Sequence, residues 1–203
     1  MQFTIKDFTN FVEERERIRL KKGSNQVPPW TNDPILQKYK FCNIRRTDDR
    51  YSKWLADNIW NQPENFHLLA NCILHRMISK VETSEKIGFA MGARLPKIIY
   101  VTTKVLKTGF STRSFYTALS KDKWFKVFYW LFNDINSLNL LIDIKRDNSL
   151  KAAYNHLKRI PQVGNFLAWQ IVADLINTPI LKNCADIDSW VALGPGCIWG
   201  LGE

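Results

Sequence analysis

Five charged residues crowd into one short segment of the sequence, "RRTDDR", which contains Arg45, Arg46, Asp48, Asp49 and Arg50. Guanidinium groups bind phosphate oxygens in a bidentate geometry, and a nearby carboxylate can orient an arginine. The segment therefore indicates either a pocket for a phosphate-bearing ligand or the solvated start of a helix. The rest of the chain must decide between these two interpretations.

A second segment, "LKRIPQVGNFLAWQ", predicts two helices joined by a tight turn. We expect the first helix to end near Lys158 and the second to begin near Asn165. Gly164 allows a close backbone turn and leaves amide groups at the new helix start, which can bind a phosphate oxygen without reading a base. The residues expected to pack between the two helices are Leu157, Ile160 and Val163. The residues expected to contact DNA are Gln162, Val163, Gly164 and Asn165. A structural helix–turn–helix corner is the alternative.

The composition is that of a basic, folded protein. The net charge of +10 favours a polyanionic partner, either nucleic acid or an anionic membrane surface, although a basic but otherwise ordinary protein is the alternative. No apolar run reaches the roughly 18 residues that would span a membrane, and the amino terminus lacks the apolar region of a signal peptide. We therefore expect an intracellular protein (cytoplasmic, nuclear or virus-encoded) that is not secreted and has no membrane partner.

The cysteines and histidines give no metal-binding pattern. The four cysteines are scattered without a C-x-x-C pair, and the three histidines have no cysteine at zinc spacing. We expect free, mostly buried thiols, no metal and no cofactor.

Helical spacing of apolar residues recurs along the chain, and no strand–turn–strand pattern or fixed repeat accompanies it. We expect a first helix that ends near Gly23, a short helix at Pro34, and others that begin near Asp48, Pro63 and Thr83–Ser84. "LPKIIYVTTKVLKTG", "STRSFYTAL" and "KDKWFKVFYWLFNDI" are also interpreted as helical. The aromatic positions expected in the core are Trp124, Phe125, Phe128, Tyr129 and Phe132. The prediction is an all-α fold in a single domain over 1–203, with sections 1–60, 61–145 and 146–203.

Two motifs together resemble the helix–hairpin–helix DNA glycosylases. Their usual turn is apolar-Pro-Gly-apolar-Gly, and "IPQVG" has Gln162 in place of the first glycine. In that superfamily a catalytic aspartate follows the hairpin by a little over twenty residues, and "ADIDSW" places Asp186 there, 22 residues after Gly164. The resemblance implies a multi-helix glycosylase-like fold and catalytic roles for Asp186 and Asp188, with helix capping as the alternative for both. Phe166 stands where some relatives carry a lysine nucleophile, so lyase chemistry is not expected.

The chain also resembles a narrower group: the helical domain that accompanies 5-hydroxymethyluridine DNA kinases, and the related α-glutamyl/putrescinyl thymine pyrophosphorylases. These are the thymine-hypermodification proteins of phages. The resemblance lies in "ERERIRLKK", "PWTNDPILQKYKFCNIRR", "DDR" with a tryptophan soon after, "IPQVGNFLAWQIVADL" and "GPGCIWGL", which together span nearly the whole chain.

The family implies a reaction in which a hydroxymethyl group on uracil in DNA is phosphorylated and pyrophosphorylated, and an amine or amino acid then displaces the pyrophosphate. Such a protein must hold the duplex backbone, unstack a base and neutralise the leaving group. The resemblance implies that Arg45, Arg46 and Arg50 bind the phosphoryl oxygens. Asp48 or Asp49 would then orient an arginine or hold the incoming ammonium, unless these residues form only an ion-pair network between the first helices. It makes Asp186 a base or a stabiliser of positive charge. The expected substrate pocket is Trp30, Asp33 and Asn43, although "WTNDPI" is also typical of a cap and turn.

Three functions follow as alternatives. The first is amine or amino-acid transfer onto pyrophosphorylated 5-hydroxymethyluracil in double-stranded DNA. The second is a non-catalytic DNA-binding module that serves a kinase partner, since the sequence contains no Walker G-x-x-x-x-G-K-[ST] motif and cannot itself be a P-loop kinase. The third is a base-excision glycosylase. Because the chain stops soon after "GPGCIWGL", we expect a truncated or minimal form at the carboxyl end.

Overall fold

The structure, a computed structural model, describes residues 4–90 and 121–201. All regular secondary structure in these two ranges is helical, so the all-α prediction is confirmed. The α-helices are α1 Ile5–Gly23, α2 Pro34–Lys38, α3 Arg50–Leu55, α4 Phe66–Ile78, α5 Val81–Ile87, α6 Lys121–Leu131, α7 Asp134–Asp147, α8 Leu150–Leu157, α9 Asn165–Leu175 and α10 Pro195–Leu201. A 3₁₀ turn covers Arg46–Asp48, and a π-helical turn, Ala56–Trp60, continues α3.

The described residues form two compact units. One runs to Arg50 and includes Pro195–Leu201, and the other runs from Tyr51 to Gly194. Each unit is described by itself below. The single-domain division over 1–203 stays a prediction.

Local sequence signals set the helices of the first unit. Thr4 and Asp7 form a reciprocal capping box at the start of α1, and the helix ends at Gly23 as its sequence predicts. Asp33 accepts hydrogen bonds from the amides of Ile35 and Leu36, which starts α2 with Pro34 in its first turn. The side chains of α1 are exposed or half-buried along its length, so this helix presents its charged residues rather than filling a core.

Helix α4 is the centre of the second unit. Its residues from Leu68 to Ile78 are all buried, and α7 and α9 pack against it. Helix α8 packs against both α7 and α9 and so completes the layer around α4. A helix that is apolar nearly all round is stable only when neighbours cover every side of it, which explains why α4 is enclosed.

The α8–turn–α9 pair matches its sequence closely. Helix α8 ends at Leu157 with Lys158 as its cap, and α9 begins at Asn165. The three residues predicted to pack between the helices, Leu157, Ile160 and Val163, are all buried. Whether this pair is a helix–hairpin–helix element in the functional sense stays a prediction.

A buried ion pair joins α4 to α9. The Arg76 guanidinium donates to both carboxylate oxygens of Asp174, with Nε–Oδ2 at 2.5 Å and Nη2–Oδ1 at 2.7 Å. The Arg76 side chain is 7% exposed and that of Asp174 is 0% exposed. Ser52 Oγ lies 3.4 Å from Arg76 Nη2, and the Tyr51 ring lies 5.4 Å from the guanidinium carbon. This pair therefore also ties α3 to the other two helices.

A second buried polar network surrounds His75. Ser84 Oγ lies 2.9 Å from His75 Nδ1 and 2.7 Å from the Tyr51 hydroxyl, which donates to the His75 carbonyl at 2.5 Å. His75 Nε2 lies 3.1 Å from the Gly88 carbonyl. Burial lowers the pKa of His75 to about 4, against a weaker opposing effect of the Gly88 carbonyl. The imidazole is therefore a neutral structural group at neutral pH.

Some sequence expectations for local structure are corrected here. Helix α4 begins at Phe66 with Asn65 as its cap rather than at Pro63. Thr83 and Ser84 lie inside α5, which begins at Val81, and both are buried. Tyr129 is 62% exposed instead of in the core. The helices predicted within 91–120 lie outside the described residues.

The cysteine prediction is correct in part. All four thiols are free, but Cys42 and Cys197 are exposed, and only Cys72 and Cys184 are buried. Burial raises the pKa of the Cys72 thiol.

We predict that the Arg76–Asp174 pair is strongly coupled. Asp174→Ala leaves the guanidinium buried without its counter-charge and should lower the free energy of unfolding by about 3–5 kcal/mol. The double variant Arg76→Met/Asp174→Ala removes both charges and should lose clearly less than the sum of the losses in the single variants Arg76→Met and Asp174→Ala. Urea unfolding followed by tryptophan fluorescence measures all three. Additive losses would contradict this coupling.

Candidate functional site

The turn between α8 and α9 places three of its four predicted DNA-contacting residues at the surface. Gln162, Gly164 and Asn165 are exposed, whereas Val163 is buried. Gln162 has a φ of 69°, the left-handed conformation that favours glycine. Gln162, which stands at the position of the first glycine in the hairpin pattern, thus has a backbone conformation that glycine adopts readily. Val163, the apolar residue of the motif, anchors the turn to the core.

Gly164 is the N-cap of α9 and, having no side chain, supplies no side-chain cap to this helix. A Cβ atom built on Gly164 would meet nothing within 4 Å in the described part of the chain. The first-turn amides of a helix lack partners within the helix, and they carry the positive end of its dipole. The turn thus combines a glycine N-cap with open space around that glycine in the described part of the chain, a geometry that leaves room for an approaching anion.

Two basic residues, Lys158 and Arg159, precede the turn and are exposed. Arg159 Nη1 lies 3.0 Å from Asp143 Oδ2, and its other terminal nitrogen contacts His156. Lys158 Nζ lies 4.5 Å from the Tyr154 ring centroid. Two positively charged side chains are therefore exposed just before the turn in the sequence.

Asp186 lies at the start of α8, not in a helix of its own. Its Oδ1 accepts from the Leu150 amide at 2.6 Å, and its Oδ2 accepts from the Ser149 hydroxyl at 2.8 Å and the Lys151 amide at 3.2 Å. Partial burial raises the pKa of this carboxyl, but the hydrogen bonds, led by that of Leu150, together outweigh it and leave the pKa below its usual value. Asp186 is therefore an ionised helix cap, and the low pKa makes it a poor proton acceptor.

Asp188 is exposed. Three aromatic side chains of this unit are partly buried and contact one another. The Trp190 ring lies 5.5 Å from that of Tyr154 and 5.8 Å from that of Trp169. The Trp190 amide donates to the Asp186 backbone carbonyl at 3.1 Å. Asp186 and this aromatic group are thus linked through the backbone.

The "RRTDDR" segment of the first unit takes part in ion pairs. Arg45 Nη2 lies 3.3 Å from Glu16 Oε1, and Asp48 Oδ2 lies 3.4 Å from Arg19 Nε. The remaining candidates, Arg46, Asp49 and Arg50, are engaged in contacts as well. The arrangement ties α1 to the 3₁₀ turn, as the structural alternative for this segment describes.

The three predicted pocket residues have different surroundings. Trp30 donates from Nε1 to the Gln26 carbonyl at 2.7 Å, and Asp33 caps α2. Asn43 is exposed and lines a pocket of about 180 Å³. The structure brings Asn43 and Arg45 to neighbouring positions around α1, whereas Gln162, Gly164 and Asp186 belong to the other unit.

Comparison with known proteins assigns the chain to a family. The model of the family described as "5-hmdU DNA kinase, helical domain" matches residues 2–203. The chain belongs to this family. A relative, the 5-hmdU DNA kinase of Bacillus phage SP10, is 26% identical over 228 residues, which cover 96% of this chain and 35% of the relative. The chain thus spans about a third of that relative's length. No solved structure matches it.

The family assignment confirms the resemblance drawn from the sequence and directs attention to residues that sequence reasoning missed. Glu16 and Arg19, both within "ERERIRLKK", form a bidentate pair with Nε–Oε2 at 2.8 Å and Nη2–Oε1 at 2.7 Å. The hydrogen bond from Arg19 is the main cause that lowers the pKa of Glu16. Their spacing of three residues on a predicted helix was the available signal.

Within the described residues, no helix has the length and apolar character that a bilayer crossing requires. No cluster of histidine, cysteine, aspartate or glutamate side chains within 4–90 and 121–201 is arranged to hold a metal ion.

We predict that Asp186 stabilises the fold through its charge. Because its folded-state pKa is lowered, this stabilisation is present above the ordinary carboxyl pKa and is lost as pH falls through the folded value. Asp186→Ala should lower the free energy of unfolding by about 1–2 kcal/mol at pH 7. Asp186→Asn keeps an acceptor and should lose less, and both variants should show a weaker pH dependence of stability than the parent between pH 5 and 3. Chemical unfolding at several pH values measures this. Equal pH dependence in the parent and Asp186→Asn would contradict it.

Proposed function

We propose that this chain is a DNA-binding helical module that holds double-stranded DNA with a 5-hydroxymethylated pyrimidine for phosphoryl transfer by a kinase. The family is named for a 5-hmdU DNA kinase, and the matched relative carries the same name. The present sequence lacks the phosphate-binding motif of a P-loop kinase. We therefore assign the phosphoryl transfer to a kinase partner. We assign the binding of DNA to this chain.

The observation that carries the proposal is the exposed turn at Gln162–Asn165. The N-cap Gly164 contributes no side chain to the α9 amides, and a Cβ atom built on it meets nothing within 4 Å among the described residues. A helix start of this kind binds a backbone phosphate through N–H groups and the helix dipole. The contact is independent of base sequence, since phosphate contacts position a duplex and base contacts specify it. Lys158 and Arg159 add the charge that makes such binding salt-dependent.

We expect Gly164→Glu to weaken binding of an unmodified duplex by roughly tenfold, whatever its sequence, because a carboxylate would occupy the place of the phosphate. A negative charge at a helix start does not destabilise the helix, so the melting temperature should stay near that of the parent. Fluorescence anisotropy with two unrelated labelled duplexes, at several salt concentrations, gives the affinities.

Two variants serve as matched controls. Gly164→Ala adds only a Cβ atom in open space and should bind within about twofold of the parent. Asn177→Glu adds the same charge at an exposed position just beyond the other end of α9 and should also have little effect. Unchanged affinity in Gly164→Glu, or an equal loss in Asn177→Glu, would remove the turn from the DNA interface.

A second candidate function is the transfer of an amine or amino acid onto pyrophosphorylated 5-hydroxymethyluracil in DNA. The observation that favours it is Asp186, an ionised carboxylate four residues before Trp190, whose ring contacts those of Tyr154 and Trp169. Aromatic faces can stack on an extruded base, and a fixed anion can stabilise an electron-poor methylene carbon after pyrophosphate departs. Its low pKa favours this electrostatic role over that of a base.

Nucleoside analysis separates the candidates. The protein is incubated with DNA that carries hydroxymethylated, phosphorylated or pyrophosphorylated uracil, with and without an amine pool, and the digest is examined by mass spectrometry. The DNA-binding module should leave all nucleosides unchanged. An amine adduct that Asp186→Asn abolishes, with DNA affinity retained, would instead establish the transferase, and loss of the base would establish a glycosylase.

A further inference from the structure

A pocket of the first unit has an unusual charge balance. It lies between α1 and residues 36–44, and it has a volume of about 180 Å³. Four cations and one carboxylate line it: Arg15, Arg19, Lys22, Lys40 and Glu16. Pockets for drug-sized ligands measure about 300–1,000 Å³. This one therefore fits a smaller anionic group.

Three of the cations come from one face of α1, where Arg15, Arg19 and Lys22 recur at helical spacing. The Arg15 guanidinium lies 5.2 Å from the Phe11 ring centroid and 5.5 Å from that of Phe41, and it donates to the Cys42 carbonyl. These contacts hold the guanidinium in place but use few of its five N–H donors. Arg15 can thus still bind an anion.

Arg19 and Lys22 are also held in place. Glu16 binds Nε and Nη2 of Arg19, which leaves its Nη1 donors for a ligand. Lys22 Nζ lies 4.6 Å from the Trp30 ring centroid, a contact that leaves its hydrogen-bond donors available. Arg45 lies 3.3 Å from Glu16 and so supports this arrangement from its far side. Glu16 therefore orients Arg19 and leaves part of its guanidinium available to a ligand.

The remaining wall is apolar and aromatic. Tyr39, Phe41, Ile18 and Leu36 line the pocket, and Tyr39 and Phe41 are 56% and 40% exposed. Aromatic side chains beside cations are a combination that binds a planar base together with its phosphate. The pocket offers both kinds of contact.

We propose that this pocket binds a phosphomonoester together with the planar base to which it is attached, either directly through a hydroxymethyl group or through a sugar. A phosphomonoester has between one and two negative charges at neutral pH and three oxygens free to accept hydrogen bonds. A phosphodiester inside a duplex has one charge and a sugar on each side, so it cannot enter a concave site as deeply. The ligand has two sources: a phosphorylated 5-hydroxymethyl group on a base in DNA, which rests on the proposed function, or a free nucleotide.

Thymidine monophosphate, inorganic phosphate, an unmodified duplex and a duplex with one phosphorylated 5-hydroxymethyluracil are the probes, titrated into the full chain by calorimetry. We expect thymidine monophosphate or the phosphorylated duplex to bind at least tenfold more tightly than inorganic phosphate or the unmodified duplex, respectively. Preference for the phosphorylated duplex identifies the DNA base as the source, and preference for thymidine monophosphate identifies the free nucleotide. The proposal would be overturned if thymidine monophosphate bound no more tightly than inorganic phosphate and the phosphorylated duplex bound no more tightly than the unmodified duplex.

Lys40→Ala and Lys22→Gln should each lower the affinity for the preferred probe by roughly five- to tenfold. Lys6→Ala removes an equal charge from an exposed position near the start of α1, outside the lining residues, and should stay within about twofold. Melting curves verify that all variants fold. If Lys6→Ala loses as much as the pocket variants, the pocket is not the site.

The pH dependence gives an independent test. The second ionisation of a phosphomonoester lies near pH 6, so affinity should rise between pH 5 and pH 7. Besides the four cations, the ionisable side chains that line the pocket are Glu16, Tyr39 and Cys42, and no histidine is among these lining residues. The lowered pKa of Glu16 keeps it ionised in this range. An affinity independent of pH would contradict a monoester ligand.

The two proposals fail separately. If Gly164→Glu weakens binding of the unmodified duplex but the pocket variants bind every phosphorylated probe as the parent does, the pocket proposal fails and DNA binding at the turn stands. If the pocket variants weaken binding of thymidine monophosphate but Gly164→Glu does not change the affinity for the duplex, DNA binding at the turn fails and the pocket proposal stands.

Discussion

The buried Arg76–Asp174 pair is the interaction on which the second unit depends. Two charges without water around them are tolerated only when geometry is good and the remaining donors are engaged, and here the contact is bidentate with Ser52 and Tyr51 close by. Apolar packing alone would let α9 slide or rotate on α4. The paired guanidinium and carboxylate accept one register, and α9 is therefore fixed along its length, including the end that carries Gly164.

The first turns of α8 and α9 differ in their side-chain caps. At α8 the amides of Leu150 and Lys151 donate to Asp186, and that of Ala152 donates to Ser149. At α9 the N-cap is Gly164, which has no side chain for this role. Because amides need partners, a start whose N-cap supplies none suits a position that water or a ligand can reach. The turn residues Gln162, Gly164 and Asn165 are exposed, and this asymmetry is the physical basis of the DNA binding that we propose at the turn.

Sequence rules worked where the cause of a structure is local. The stop at Gly23, the Asp33 cap and the turn between Lys158 and Asn165 each follow from a few adjacent residues. They failed where a distant partner decides. Ser84 has the chemistry of a helix cap, but its hydroxyl contacts Tyr51 and His75 instead. Arg76 and Asp174 are 98 residues apart, and only the presence of one charge in each otherwise apolar helix hinted at their pairing.

The positions of the cations in the first unit differ from what the density of charge along the sequence suggests. "RRTDDR" concentrates charge along the sequence, but successive residues of a tight turn point in different directions, and Arg45 and Asp48 are paired with α1. Arg15, Arg19 and Lys22 are separated in sequence and share one helix face, so they meet in the pocket. Charge density in sequence predicts that a segment is solvated or paired. A site for an anion needs charges that converge on one volume, and helical periodicity is the better guide to that convergence.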